Sequence, residues 1–362
     1  MNIIRPTLLV DELKCRTHIE RMNKIAVQSN VIFRPHFKTH QSQAIGSWFR
    51  DAGVTRITTS SLVMAEYFAA DGWDDITVAF PVNYLEYDLI NSLAARIQLN
   101  LCTVSLASLE KLADRLKHKI HIFIEIDTGY GRTGIDPADL DTINQFIQFI
   151  EQEKYMSFAG FLSHAGHSYK CRSKAEIEKV HRASFKSAIA LKEKFIHAHP
   201  TLAYSIGDTP TCSVVDNFSG VDEIRPGNFI FYDVTQNEIG SCSMDAIAVA
   251  LACPVVAIHP LKNEIVIHGG AVHLSKDSVV LKNGIQIFGR VATLSDRGWN
   301  PMPESYHVKS ISQEHGIISV PAESLDQFKI GDRVGVLPVH SCLTADCMGG
   351  YTTLQGEKLD HF

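Results

Sequence analysis

Along the first two thirds of the chain one pattern recurs: a short β-branched or aromatic run, a polar or glycine-containing break, then a longer amphipathic stretch. Short apolar runs bounded by turn residues read as buried strands and the longer stretches as helices, so the period is that of βα units. Strands are predicted near 31–37, 55–59, 76–80, 98–103, 120–126, 157–163, 202–206 and 221–225. Eight such units fit a (β/α)8 TIM barrel. Between them, Ser105 is placed to cap a helix over 105–117, with Leu106, Leu109, Leu112 and Leu116 on one face. Asp136-Pro137 reads as a second helix start, with the proline just inside it.

After about residue 240 the texture changes. AIAVALACPVVAIHP, NEIVIHGGAVHL and SVVLKNGIQIFGRVATL are β-branched runs broken by Gly, Asn-Gly and Pro, with little helical period. That is the pattern of an antiparallel β domain. The expected organisation is a barrel over 12–240 and a C-terminal antiparallel β domain over 241–362, joined by the strand-like segment 1–11.

Composition narrows the class of ligand. A chain of 362 residues, 45% hydrophobic, can bury a large core, and its net charge of −6 gives no basic footprint for nucleic acid or an anionic membrane. A small-molecule partner is expected. The N-terminal residues lack the pattern of a secretory signal and no run reaches transmembrane length, which points to the cytoplasm. Eight scattered cysteines without CxxC spacing read as reduced thiols.

Barrel enzymes carry their chemistry just past the C-terminal ends of the strands. Here those positions read RPHFKTH (34–40), TTSS (58–61), EIDTGYGRTG (125–134), SHAGHSY (163–169), SIGDTPT (205–211) and EIRPGNF (223–229). Lys38, at the first strand end, is expected to be partly desolvated, which would lower its pKa and free a nucleophilic amine. Strand alternation would place His36, Lys38 and His40 on one side. A solvated loop lysine is equally compatible with the spacing. Gly207, Asp208 and Thr209, with Gly227 and Asn228, form two turns after strands seven and eight, where barrels often cradle a phosphate. In the C-terminal region His340-Ser341-Cys342 ends a β run. Positions i and i+2 of a strand share a face, so an imidazole and a thiolate could grip one ion, although such a triplet also arises by chance.

Taken in order, RPHFKTH, EIDTGYGRTG, SHAGHSY, SIGDTPT, EIRPGN and the late PVHSC resemble the fold-type III pyridoxal-phosphate enzymes with an alanine racemase-like barrel, in the group of D-serine dehydratases and D-threonine aldolases. The resemblance runs from RPTLLVD to PVHSCLTADC. It implies that Lys38 binds pyridoxal 5'-phosphate as a Schiff base, that Arg132 and His164 lie beside the ring and its phenolic oxygen, and that Tyr169 approaches the pyridine nitrogen. Gly207, Asp208, Thr209, Gly227 and Asn228 are implied to hold the phosphate. Arg225 matches the arginine at the pyridine nitrogen of alanine racemases, and is structural if Tyr169 takes that place. His340 and Cys342 are implied to bind a divalent metal, and a soft thiolate favours zinc over manganese or magnesium.

The implied activity is loss of the β-hydroxyl from a D-amino acid, foremost D-serine, giving pyruvate and ammonia. Retro-aldol cleavage of D-threonine or D-3-hydroxyaspartate is the alternative, followed by racemisation and by a non-catalytic pyridoxal-phosphate carrier, which would lack a β domain. A homodimer is implied. Ser60 departs from the pattern, since relatives often have glutamine there, and this bears on substrate more than on cofactor.

Overall fold

The computed structural model describes residues 3–362, so the first two residues of the segment 1–11 lie outside it. Two compact units are resolved: one comprises Glu20–Lys38 and Phe49–Gly227, the other the chain up to Ile19, Thr39–Trp48 and Asn228–Phe362.

After β1 (Thr7–Val10) and α1 (Glu12–Ser29), the first of these units carries eight strands: β2 (Ile32–Phe33), β3 (Ile57–Thr59), β4 (Asp75–Pro81), β5 (Gln98–Thr103), β6 (Ile120–Ile126), β7 (Met156–Ser163), β8 (Ala203–Ile206) and β9 (Glu223–Ile224). They are parallel, in the order β2-β9-β8-β7-β6-β5-β4-β3. The ends of this sheet meet where His36 bridges Thr58. Thr58 N donates to Pro35 O at 2.9 Å and Phe37 N to Thr58 O at 2.8 Å, so the sheet closes into the expected (β/α)8 barrel.

The connecting helices are α2 (Gln43–Asp51), α3 (Leu62–Ala70), α4 (Tyr87–Ala94), α5 (Leu106–Ala113), α6 (Leu140–Gln152), α7 (Lys174–Phe195) and α8 (Thr209–Val214). Two differ from the sequence expectation. Ser105 does cap α5, accepting from Ser108 N, but the helix stops at Ala113 instead of 117 because Arg115 N turns back to Leu112 O. The Asp136-Pro137 pair does not start α6. Asp136 accepts from Ala138 N in a preceding turn, and Asp139 caps the helix through Thr142 N.

The other unit holds the antiparallel sheet. Its strands are β10 (Val249–His259), β11 (Glu264–His268), β12 (Val279–Val280), β13 (Gln286–Ile287), β14 (Gly289–Ser295), β15 (Gly298–Pro301), β16 (His307–Ile311), β17 (His315–Ser319), β18 (Arg333–Pro338), β19 (Tyr351–Thr353) and β20 (Lys358–Leu359). β10, β11, β17, β16, β14 and β18 pair in a ring, which removes most exposed edges. β1 pairs antiparallel with β10 and parallel with β19. Three short helices complete it: α9 (Val234–Ile239), α10 (Ala271–Leu274) and α11 (Ser341–Met348).

One ion network straddles the barrel seam. Arg34, buried just after β2, donates through Nε to Glu223 at 2.9 Å and through Nη1 to Asp75 at 2.6 Å. Asp75 and Glu223 open β4 and β9, and Asn100 of β5 donates to the same Asp75 at 2.9 Å. Opposite charges and hydrogen bonds here offset the desolvation cost. Removing the cation alone takes the hydrogen-bonded partner from buried Glu223 and leaves Asp75 to the half-exposed Arg56, whose Nε lies 3.2 Å from Oδ2. Arg34→Met should therefore destabilise the fold by about 3–5 kcal/mol, read as a lower urea midpoint with unchanged slope.

Candidate active site

The barrel rim is built outward from Phe37. Its fully buried ring packs against Phe49, Phe68 and Trp73, with centroids 4.9, 5.0 and 5.1 Å away. This anchor fixes the backbone of the next residue, Lys38. Lys38 itself is exposed, so the barrel wall does not desolvate it as expected. The predicted alternation also ends early. The chain turns over 37–40 after the His36–Thr58 bridge, Lys38 N points at His36 Nδ1 (3.4 Å), and His40 lies buried in the other unit.

Neutral imidazoles surround the lysine. Burial, reinforced by the charges of Lys38, Arg225 and His164, holds His36 well below its ordinary pKa. His164, at the end of β7, meets Gly207 O at 2.6 Å through Nδ1, which places its ring proton there and leaves Nε2 as an acceptor. Burial outweighs that bond and, with Lys38, Arg132 and Arg225, lowers the His164 pKa to about 3. Arg225 is committed to the barrel wall: Nε donates to Ser205 Oγ at 2.7 Å and Nη2 to Ser163 O at 2.6 Å. Glu125 lies buried beside Cys102 Sγ at 3.8 Å, and burial raises its pKa.

The EIDTGYGRTG loop is held by one carboxylate. Asp127 accepts from the backbone N–H groups of Gly129, Tyr130 and Gly131 at 2.8–3.1 Å. Arg132 lies over the Tyr130 ring at 5.3 Å, and that ring meets His164 edge-on at 5.9 Å. Arg132 is therefore carried toward His164, where its charge contributes to the lowered pKa.

The turn into α8 matches an anion cradle in its donors. A Cβ on Gly207 would come within 2.8 Å of the Arg225 carbonyl carbon, so only glycine lets the turn lie so close. Thr209 Oγ1 is buried with no hydrogen-bond partner, and a buried hydroxyl in that state suits an acceptor such as phosphate. Asp208 cannot itself hold an anion through its side chain. Its carboxylate caps α8 through Thr211 N at 2.8 Å and accepts from Ser168 Oγ at 2.7 Å, which leaves its backbone for that task. The Tyr169 hydroxyl accepts from Thr209 N at 3.3 Å, placing this tyrosine at the cradle. Gly227 is buried at the end of the unit. Ser60 Oγ meets Met64 Sδ at 3.9 Å.

The β unit holds a separate cluster. β18 ends at Pro338, His340 caps α11 and Cys342 lies inside that helix, so the pair does not share a strand face as expected. The helix cap brings the two side chains together instead, in a mutual hydrogen bond. His340 Nδ1 meets Asp277 Oδ2 at 2.7 Å, which turns Nε2 toward the thiol. Burial opposes charge on both groups, yet the thiolate, Asp233 and Asp277 raise His340 to about 10. His340, Thr39 and Asn228 in turn lower Cys342. An imidazole nitrogen and a thiolate aimed at each other, with a carboxylate behind the ring, fit a zinc-type donor set. Asn228 belongs here by its side chain: Nδ2 donates to Asp233 at 2.7 Å and Ser341 Oγ at 2.9 Å, so only its main chain remains for a phosphate. Asp346 accepts from Gln41 at 3.2 Å and Cys347 is exposed.

Sequence reasoning missed Asp277, Asp233 and Thr39. Asp277 is 63 positions from His340, and no local pattern links them. Asp233 had a usable signal, because it precedes α9 as a capping residue and accepts from Gln236 N at 2.9 Å.

The depressed His164 pKa has a signed consequence. An unfolded histidine binds its proton near pH 6.5, whereas folded His164 does so only at about 3, so the unfolded chain binds more protons between these limits. Stability contributed by neutral His164 is present above pH 6.5 and is lost as pH falls toward 3. Chemical denaturation of His164→Gln should show a shallower loss of stability over this window than the parent chain.

Family models account for nearly all of the chain. The alanine racemase N-terminal domain matches residues 10–234 and the putative serine dehydratase domain residues 248–354. The D-serine dehydratase of Dictyostelium discoideum is 29% identical over 99% of this chain and 95% of its own. The solved D-threo-3-hydroxyaspartate dehydratase from Delftia sp. HT23 is 26% identical, with a TM-score of 0.93 over 100% of this chain and 98% of its own. An alanine racemase-like protein from Idiomarina loihiensis superposes with a TM-score of 0.88 at 25% identity, over 99% of this chain and 97% of its own. With a closed parallel barrel, a lysine at its first strand end and both models matched in order, the chain belongs to the family of the alanine racemase N-terminal domain, continued by a putative serine dehydratase domain.

Proposed function

We propose that the chain is a pyridoxal-phosphate-dependent lyase of D-β-hydroxy amino acids, and within that class a D-serine dehydratase that converts D-serine to pyruvate and ammonia. Two relatives matched over nearly their whole length are dehydratases. The observation that carries elimination over retro-aldol cleavage is the Cys342 sulfur hydrogen-bonded to His340, a soft donor pair suited to zinc. A cysteine-to-alanine variant of a D-threo-3-hydroxyaspartate dehydratase, solved in a metal-free form, supports reading this cysteine as a ligand.

Pyridoxal phosphate supplies an electron sink for the charge left at Cα when its proton is removed. Lys38 Nζ would hold the cofactor and, once released, accept that proton. His164 presents an unprotonated Nε2, because Gly207 O holds Nδ1–H and burial keeps the ring uncharged. Thr209 offers its hydroxyl and Gly207 and Asp208 their main chain to the phosphate, while Arg132 offers its guanidinium toward the phenolic oxygen. Tyr169, whose hydroxyl accepts from Thr209 N beside the cradle, would face the pyridine nitrogen. His340 Nε2 and Cys342 Sγ would hold a divalent ion, zinc in this reading, and the chemistry it would supply is Lewis acidity toward the β-hydroxyl. Asp277 keeps His340 in the tautomer that ligation needs.

The reading also carries a homodimer in the cytoplasm. Among the described residues the cysteines form no disulfide, as suits a reducing compartment. Among the described residues no helix is long and apolar enough to cross a membrane.

Incubation with D-serine, D-threonine, D-3-hydroxyaspartate and D-alanine, with pyruvate, glycine and L-isomers measured separately, distinguishes the candidate reactions. Pyruvate from D-serine is expected; glycine plus an aldehyde as the main product would instead establish the aldolase. His340→Ala should lose bound metal and lower kcat for D-serine by at least about 100-fold, given what first-ligand loss does to a metal centre. Unchanged turnover in that variant would remove the metal from the reaction.

A further inference from the structure

We propose that His268, His273 and Glu314 form a second binding site, for a divalent first-row transition ion, on the turn that leaves β11. Among the described residues, this is the trio of His, Cys, Asp or Glu side chains that converges: their ligand atoms all lie within 4.8 Å of one another. His268 Nε2 is 3.4 Å and His273 Nε2 3.8 Å from Glu314 Oε2. The two imidazole rings cross at 86° with centroids 5.5 Å apart, so neither ring stacks over the other. A tetrahedral ion with bonds of about 2.0–2.2 Å spaces its ligands roughly 3.3 Å apart. Shifts of well under a side-chain length close the site. Two imidazoles and one carboxylate suit zinc, cobalt or nickel, whereas calcium and magnesium want more oxygen.

The carriers of these ligands are fixed by main chain. His268 ends β11, His273 lies in α10 and Glu314 in the turn between β16 and β17. Gly269 N donates to Glu314 O at 2.9 Å, Ala271 N to Ser312 O at 2.8 Å and Val272 N to Gln313 O at 3.1 Å. A Cβ on Gly270 would run into the carbonyl oxygens of Ser312 and Gln313, so glycine is what lets the two turns touch. His273 is mostly buried, at 16% side-chain exposure, while His268 and Glu314 reach solvent at 42% and 49%, leaving an entry path and room for water as a further ligand.

Proton balance is explicit. Gly270 N points at His273 Nδ1 at 3.2 Å, so the neutral ring carries its proton on Nε2, facing Glu314. An ion binding at Nε2 moves this proton to Nδ1 at the cost of that one long hydrogen bond. Burial keeps the ring uncharged by lowering its pKa, so no second proton must leave. The proposal is independent of the function assigned to Lys38 and to the His340–Cys342 pair.

The test is a zinc titration of metal-stripped, full-length protein, counted by calorimetry and elemental analysis, for the parent chain, Glu314→Gln, His268→Ala, Cys342→Ala and the Glu314→Gln/Cys342→Ala combination. Glu314→Gln and His268→Ala should each bind one zinc equivalent fewer than the parent while keeping its circular dichroism and its turnover. Cys342→Ala should retain that equivalent, and the combined variant should lose it. Full parental stoichiometry in Glu314→Gln and His268→Ala overturns the proposal, and so does loss of all zinc in Cys342→Ala alone.

Discussion

A parallel sheet can satisfy its two edges only by closing on itself, and this barrel closes through very little: one bridge between His36 and Thr58 and the two main-chain bonds around it. Both strands at that seam are short, β2 with two residues and β3 with three. The seam therefore depends on side chains. Arg34 ties the starts of β4 and β9 across it, and Phe37 fills an aromatic pocket directly above. Lys38 is the next residue in the chain. The same seam that closes the barrel thus sets where its reactive amine begins.

Charge states in the molecule follow from what each group is buried against. His36 and His164 are buried among cations, and both are driven to the neutral form that accepts a hydrogen bond. His340 is half-exposed and lies beside a thiol and two carboxylates, and there the balance reverses in favour of the charged form. One residue type thereby serves as an uncharged neighbour of a lysine in one unit and as the partner of a thiolate in the other. Desolvation decides for His36 and His164, with the cations reinforcing it, whereas the anionic neighbours of His340 overcome it.

The eight barrel strands were legible because each is a short apolar run with turn residues on both sides, and the β domain because its runs lack helical period. Helix ends were less legible. Asp136, Asp139 and Ser105 all look like caps, and spacing alone does not say which aspartate starts α6 or where α5 stops. At the site, the residues that stand at strand ends were found, since position along the chain implies position on the rim. Two geometric arguments failed for one reason: backbone turns intervene where strand alternation was assumed, over 37–40 and again at the His340 cap of α11. Partners joined only by folding, such as Asp277 with His340, left no trace in spacing.

The central claim is that Lys38 binds pyridoxal phosphate. It is tested most directly by reducing the purified, cofactor-loaded protein with borohydride and locating the modified peptide by mass spectrometry, with the absorption spectrum recorded beforehand. The account predicts a yellow protein whose phosphopyridoxyl group maps to Lys38 alone, and a Lys38→Ala variant that shows neither the band nor the modification. A label on another lysine, or a parent protein that takes up no pyridoxal phosphate, would contradict it.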